Sequence, residues 1–402
     1  EDRESRQRLV DHLWSSYQER VVAARGLADD AVDDYAQNLV AHTEAAGGDL
    51  AIVARDRGLV DELLSRTELR ELMIERVGPD DEDDATYSAV WMSKYLSQIA
   101  LRRATKENTE NIAVIVAAGS ILDGTQPPGT IGGDSTAALL KKALDDEAVK
   151  AVVLRVDSGG GSAFASEVIA EEVRKLQAAG NPVVASMGSV AASGGYWISM
   201  DADRIYATPT TITGSIGIVG MFPTFQRTLA TVGISTDGVG TTPWSGQLRP
   251  DREMSEEAKK LFQLVINDGY QDFVQGVAEG RDLDTDYVDG IGQGQVWSGE
   301  EALANGLVDE LGDLDDAIAG AAELAGLEHY GQKLIETELS PTEQLILDLL
   351  TLFGSLGIDP GVFASSPSPI EQFANRFQAL VFEVSKFNDP KGVYSYCFCG
   401  AD

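Results

Sequence analysis

The chain has 402 residues, of which 31 are basic and 65 acidic, and 43% are hydrophobic. That length and apolar fraction can fill one large core or two ordinary ones. The formal charge of −34 leaves no electrostatic footprint for nucleic acid or for an anionic membrane surface.

The chain opens on Glu1 in "EDRESRQRL", without methionine and without a signal-type segment, so the natural N-terminus is expected to lie upstream. "YQERVVAARGL" from Tyr17 resembles "YQDFVQGVAEGRDL" from Tyr270. Each is followed by an acidic stretch and then by GLVDEL. Gly58 and Gly306 open the two GLVDEL segments, 248 residues apart, which is a domain-sized period and not a solenoid one. A tandem duplication follows, with the first repeat present only as its C-terminal tail. The boundaries read as residues 1–75 for that tail, 76–110 for a linker, 111–326 for a complete second repeat and 327–402 for a C-terminal extension.

The complete repeat alternates strand and helix. Residues 111–122 and 148–158 read as strands, 134–146 and 163–180 as helices, and 181–187 as a third strand. A further helix is expected from Gly194 onward. Near-continuous apolar strands separated by helices predict an α/β fold with a parallel sheet covered on both faces. Residues 340–353 carry a Ser340 cap, Pro341 at the first helical position and Glu343 at the third, which predicts an amphipathic helix used for packing or oligomer contact. At the end of the chain Cys397 and Cys399 stand one residue apart. A bridge between them would be strained, and they read as an ordinary tail. His12, His42 and His329 lie in distant segments, so neither a zinc site nor any other metal or cofactor is expected. No stretch approaches the roughly 18 uninterrupted apolar residues of a membrane span.

In parallel α/β sheets, ligands bind outside the carboxyl ends of the strands. Two such ends are unusual here. "RVDSGGGSA" places Gly159, Gly160 and Gly161 after the second strand, and "GSVAASGGYW" places Ser193 after the third. Each signal alone has a plainer reading, a flexible turn for the glycines and a helix cap for the serine. A phosphate-binding loop is disfavoured, because no Gly-Lys-Ser/Thr follows and Asp157 would repel phosphate. Together the two turns suit a nucleophile beside an oxyanion hole, with one N–H from the glycine turn and one from the residue after Ser193.

"RVDSGGGSAFASE", "SMGSVAASGGYWIS", "ATPTTITGSIGI" and the terminal "FNDPKGVYSYCFC" resemble the signal peptide peptidase A family in its long, duplicated bacterial form. The resemblance covers essentially the whole chain. It implies a Clp-protease-like or crotonase-like fold and a serine–lysine dyad that degrades signal peptides after their release. It also implies a homo-oligomer, a tetramer, at the bacterial inner membrane, facing the periplasm through an anchor outside this chain. Residue by residue, Ser193 matches the nucleophile, Gly160 and Gly194 the oxyanion-hole amides, and Ser215 the serine that holds the lysine amine.

The chain departs from the family pattern at two points. Gly159 stands where the family usually has proline, which leaves the turn less rigid. Single-repeat members carry the lysine about fifty residues after the serine, where this chain has "GVGTTPWSGQLRP" without lysine. The resemblance places the lysine of duplicated members in the first repeat, ahead of Glu1. Lys141, Lys142, Lys150, Lys175, Lys259 and Lys260 read as solvated helix residues. A fragment without the base is expected to be inactive. The other functions open to this sequence are an acyl-CoA enzyme of the crotonase type and a non-catalytic assembly module. The first has no need of Ser193 or "TGSIGI", and no basic site for the phosphates of CoA is recognisable in so acidic a chain.

Overall fold

The computed structural model describes residues 2–337 and 388–397, apart from 82, 93, 97, 98, 100–109, 223, 243 and 248. The helix expected over 340–353 lies outside the described residues, as does Cys399. The chain divides into a helical unit, Val10–Asn108, and an α/β unit formed by Glu1–Leu9 with Thr109–Asp402.

The helical unit contains most of α1 (Asp2–Arg25), then α2 (Ala31–Gln37), α3 (Leu39–Ala45), α4 (Leu50–Asp56) and α5 (Arg66–Val77). Its helices start where short polar side chains take up unpaired N–H groups. Asp49 caps α4, and Ser65 with Glu68 forms a reciprocal capping box on α5. Arg25, at the end of α1, pairs with Asp61 of the first GLVDEL at 2.6 Å.

The α/β unit begins with β1 (Asn111–Ala118), β2 (Ile121–Leu122), β3 (Ile131–Gly132), α6 (Gly133–Leu144), β4 (Val149–Ser158) and β5 (Gly160–Ser162). There follow α7 (Ala163–Ala178), β6 (Val183–Ala192), α8 (Gly194–Trp197), β7 (Arg204–Ala207), β8 (Ile212–Gly214) and β9 (Val219–Gly220). The remainder is α9 (Gln226–Thr231), α10 (Glu256–Arg281), α11 (Thr285–Ile291), β10 (Val296–Ser298), α12 (Gly299–Ala304), β11 (Glu310–Leu311), α13 (Leu314–Leu324), β12 (Gly331–Leu334) and β13 (Val393–Tyr396).

One sheet runs β10-β8-β6-β4-β1-β12, with β7 pairing both β6 and β11. Its pairings are parallel except where β10 runs against β8. Alternate residues of its central strands serve opposite faces. Ile115, Val152 and Leu154 meet α6, α7 and α10 through Leu140, Ile169 and Phe273, and Ile112, Ala151 and Val153 meet α13 through Ile318 and Ala321. Both faces are covered, as continuous apolar strands require. A smaller second sheet runs β3-β2-β5-β13-β9.

Three expectations need correction. The strand read over 111–122 breaks at Gly119, which has φ +105° and whose missing side chain leaves room for the Gly129 carbonyl, so β2 joins the second sheet. The third strand continues to Ala192 instead of ending at 187, because Val190–Ala192 pair with β8. The helix from Gly194 lasts four residues, since "RIYA" pairs with β6 as β7. Dipole stabilisation from a long helix is therefore unavailable at Ser193.

The second GLVDEL is built into the core. Leu307 and Val308 are buried, and Asp309 accepts hydrogen bonds from the Ile205 N–H at 2.7 Å and from the Arg281 guanidinium. Arg281 ends α10 as Arg25 ends α1, so the same arginine–aspartate pair recurs in both segments. Tyr196 in α8 donates to the Leu307 carbonyl at 2.8 Å, and the neighbouring Trp197 packs on Phe273 with ring centroids 4.5 Å apart. Phe273→Ala removes that support and leaves a cavity under α8. The expected cost is about 3–5 kcal/mol, read as a lower urea midpoint of the α/β unit.

Candidate active site

β6 runs straight into Ser193, whose backbone sits at φ 56°, ψ −116°. A positive φ on a non-glycine residue costs of the order of 1–3 kcal/mol and persists only where the surroundings enforce it. Here they do. The Ser193 N–H donates to the Gly214 carbonyl at 2.8 Å, and the Ser193 carbonyl starts α8 by accepting the Trp197 N–H at 2.8 Å. The side chain makes no capping bond, which removes the helix-cap reading of this serine. Its Oγ, 1% exposed with the rest of the residue, lies instead 2.8 Å from the Ser395 Oγ of β13.

The glycine turn arrives from the end of β4. Gly160 has φ +94°, and a Cβ on it would overlap the Ser395 carbonyl oxygen and stand 2.6 Å from the Gly194 nitrogen. A Cβ on Gly194 would stand 3.0 Å from that same oxygen and 2.8 Å from Ser166 Oγ. A Cβ on Gly161 would overlap the Ile121 carbonyl. At Gly159 the nearest atom is 3.6 Å away, so a side chain fits there, and that glycine is not sterically demanded.

Ser193, Gly160 and Gly194 thus share one place, with the Ser395 carbonyl oxygen between the two glycine backbones. The Gly160 N–H is itself engaged, donating to Ser158 Oγ at 3.0 Å. Ser215 follows directly on Gly214 and is held at φ 49° by its N–H, which donates to the Gln295 carbonyl at 2.7 Å. It is buried at the β8 end, beside the strand that carries Ser193.

Sequence reasoning missed β13. Tyr394 and Tyr396 face Ser162 and Gly160 across an antiparallel ladder, and Val393 and Tyr394 face Gly220 and Val219 on the other side. Asp389 pins the approach to this strand. Its carboxylate accepts Ser162 Oγ at 2.6 Å and the Phe164 N–H at 3.1 Å, and also the N–H groups of Lys391 and Val393 at 2.8 and 3.1 Å. The one signal in the sequence was the apolar–polar alternation of "VYSY" after Gly392, too short to rank as a strand. Cys397 continues the strand by donating its N–H to the Gly159 carbonyl at 2.7 Å, and it is disulfide-bonded, a correction to its reading as an ordinary tail residue.

A cavity of about 490 Å³ opens where β13 begins, bordered by Phe164, Trp197, Val393 and several carboxylates. Burial holds two of these, Asp201 and Asp272, above the usual carboxylate range. Arg174, 2.6 Å away, partly offsets the effect at Asp201, and the neighbouring Asp268 adds to it at Asp272. Three of the described lysines bring no base to the serine. Lys141, Lys175 and Lys259 are exposed and paired with acids of their own helices or nearby turns. Donating hydrogen bonds to Glu172 and Glu256 raises the pKa of Lys175 and Lys259, the opposite of what a general base requires. Lys391 lies in the turn ahead of β13, its N–H donating to the Asp389 carboxylate at 2.8 Å.

The model of peptidase family S49 matches residues 175–328. Over 400 residues the chain is 38% identical to Protease 4 of Salmonella typhi, covering all of this chain and 63% of that protein. Against Protease 4 of Haemophilus influenzae it is 37% identical, covering 98% of this chain and 64% of the relative. A putative protease of Synechocystis is 37% identical over 54% of this chain and 76% of its own length. The chain belongs to the signal peptide peptidase A family, within peptidase family S49. It spans somewhat under two thirds of the length of the two Protease 4 relatives. Among solved structures, a ClpP1 point mutant from Listeria monocytogenes aligns with 56% of this chain and 99% of its own at 14% identity and a TM-score of 0.34, too loose an alignment to define the fold.

The glycine requirement can be tested against a matched position. Gly180 has φ +90° with nothing within 4 Å of a built Cβ, so Gly180→Ala is expected to cost about 1 kcal/mol for the backbone alone. Gly160→Ala adds overlap with two backbones and is expected to cost about 3 kcal/mol or more. Chemical denaturation of the two variants side by side checks the difference.

Proposed function

We propose that this chain is the nucleophile-bearing part of a serine endopeptidase that uses a serine–lysine dyad to degrade released signal peptides. The observation that carries the reading is Ser193: a buried serine in strained backbone, not used as a cap, placed against two glycines that tolerate no side chain. In the reaction Ser193 Oγ attacks a peptide carbonyl carbon while its proton passes to a neutral lysine amine. The oxyanion that forms is met by the N–H groups of Gly194 and Gly160. For Gly160 this requires its bond to Ser158 Oγ to give way to the substrate. Loss of one such donor typically costs about 10²- to 10³-fold in rate. The lysine then returns the proton to the leaving amine, and water cleaves the acyl-enzyme by the same route.

On this reading the lysine comes from a first repeat ahead of the residues described, and Ser215 steadies its amine. The recurring Arg25–Asp61 and Arg281–Asp309 pairs support a tandem duplication of one Clp-like or crotonase-like unit. The length of the Protease 4 relatives leaves room for the remainder. The same reading takes the full-length protein as a homotetramer at the bacterial inner membrane, facing the periplasm. No described helix is long and apolar enough to cross a membrane; the anchor is taken, as the family resemblance implies, to lie outside this chain.

Peptidase turnover of the full-length protein, its Ser193→Ala variant and residues 1–402 alone tests the proposal. The variant is expected to lose about 10³-fold or more, and the isolated chain to work near background, since nucleophile and base act as a unit. Full activity in Ser193→Ala would remove the nucleophile assignment. Activity of the isolated chain equal to the full-length protein would place the base inside residues 1–402.

A further inference from the structure

The backbone of both site serines rests on β10. The Ser193 N–H donates to the Gly214 carbonyl at 2.8 Å, and Gly214 faces Val296 across the β8–β10 ladder. The Ser215 N–H donates to the carbonyl of Gln295, one residue ahead of that strand, at 2.7 Å. Trp297 lies close against Gly214, where a Cβ would stand 2.7 Å from the indole ring. The positive-φ conformations of Ser193 and Ser215 therefore depend on where β10 sits.

β10 is fastened from nearly three hundred residues away in the chain. The first residues of α1, up to Leu9, belong to the α/β unit, and from them Arg8 reaches β10 and the helix that follows it. Its guanidinium carbon lies 4.1 Å from the centroid of the Trp297 ring. Its Nη2 donates to the Val296 carbonyl at 3.4 Å, and its Nε pairs with Glu301 Oε1 at 3.0 Å. The other oxygen of Glu301 accepts the Ser298 N–H and hydroxyl at 3.0 and 3.2 Å, as part of the capping box that joins β10 to α12. One side chain thus engages three successive residues of β10: a carbonyl, a ring face and, through Glu301, a helix cap. A planar guanidinium suits this combination of stacking and forked hydrogen bonding, and a lysine ammonium does not.

We propose that Arg8 is a positioning residue for the nucleophile: it fixes β10 through Trp297, Val296 and Glu301, and β10 in turn sets the backbone of Ser193 and Ser215. The inference rests on the reading of Ser193 as the nucleophile. Arg8 acts through the strand and not on the reacting atoms, so its loss shows in the rate of the chemical step and not in the binding of substrate. On the reading that assigns the lysine base to a first repeat, α1 continues that repeat, and the same side chain ties the base-bearing part of the protein to the strand pair under the nucleophile.

Two measurements on the full-length protein test this. Arg8→Ala is expected to lower kcat for a short peptide about tenfold or more and to leave KM within about twofold, since misplacing a reacting group by about 1 Å can cost about 10²-fold in rate. Arg8→Lys keeps the charge but not the planar fork, and its kcat is expected to fall between those of Arg8→Ala and the parent. It carries the same readouts should Arg8→Ala not fold. Arg3→Ala removes an exposed charge from the same helix and is expected to change neither parameter. The second measurement is amide hydrogen exchange followed by mass spectrometry. In Arg8→Ala, residues 188–197 and 212–216 are expected to exchange about tenfold faster, with β1 unchanged. Unchanged kcat, or a loss confined to KM, would overturn the positioning role. A lower kcat without faster exchange in those two segments would overturn the route through β10. Because exchange needs no turnover, the two readings fail separately. Full activity of Ser193→Ala with exchange still responding to Arg8 removes the nucleophile and leaves the link through β10, whereas an inactive Ser193→Ala beside an unaltered Arg8→Ala does the reverse.

Discussion

The site depends on how closely three stretches of backbone approach one another. Gly160, Gly194 and Ser395 come from a strand end, a helix start and a strand more than two hundred residues away, and they meet with no side chain between them. Protein interiors are packed so densely that a single methyl group at such a junction must displace a backbone. That constraint explains why glycines stand at 160, 161 and 194, and why Gly159, where a side chain would meet Cys397 only in ordinary van der Waals contact, is free to differ from the proline usual in the family.

The support for this junction is polar as well as apolar. Tyr196 is fully buried, and its hydroxyl is satisfied by the Leu307 carbonyl, so the short helix after the nucleophile is fastened to the second GLVDEL. Burial holds the Tyr196 hydroxyl far above its ordinary pKa, so it stays a neutral donor around neutral pH. Trp197 divides its contacts in the same way, with its ring on Phe273 and its N–H on Glu167. A motif visible in the sequence only as a repeat therefore has a mechanical role in the second copy. In the first copy the same Leu-Val pair lies nearer the surface, while its aspartate keeps the arginine.

Much of this was legible in the sequence because it is local. Apolar runs gave β4, β6 and the helix between them, and the glycine and serine turns after β4 and β6 marked the strand ends that come together. What was not legible depends on partners distant in the chain. The helix after Gly194 stops after one turn because Arg204–Ala207 find an open edge on β6, a competition no local propensity expresses. The strand over 111–122 breaks because of a close approach at Gly119. Ser395 was invisible as a site residue because a four-residue strand has no periodicity to speak of, and only the ladder with β5 gives it meaning.

β13 also makes the order of synthesis matter. When a growing chain has emerged as far as β12, the large sheet has all its strands, yet the edges of β5 and β9 still lack the one that lies between them. An uncovered strand edge is a template for any extended chain nearby, including a second nascent copy. The glycines that admit a close backbone at Gly160 and Gly161 would admit a foreign one equally well. The interval between the making of β12 and the arrival of β13 is thus the period in which this molecule is most exposed to mispairing, and a slow passage through residues 335–392 would lengthen it.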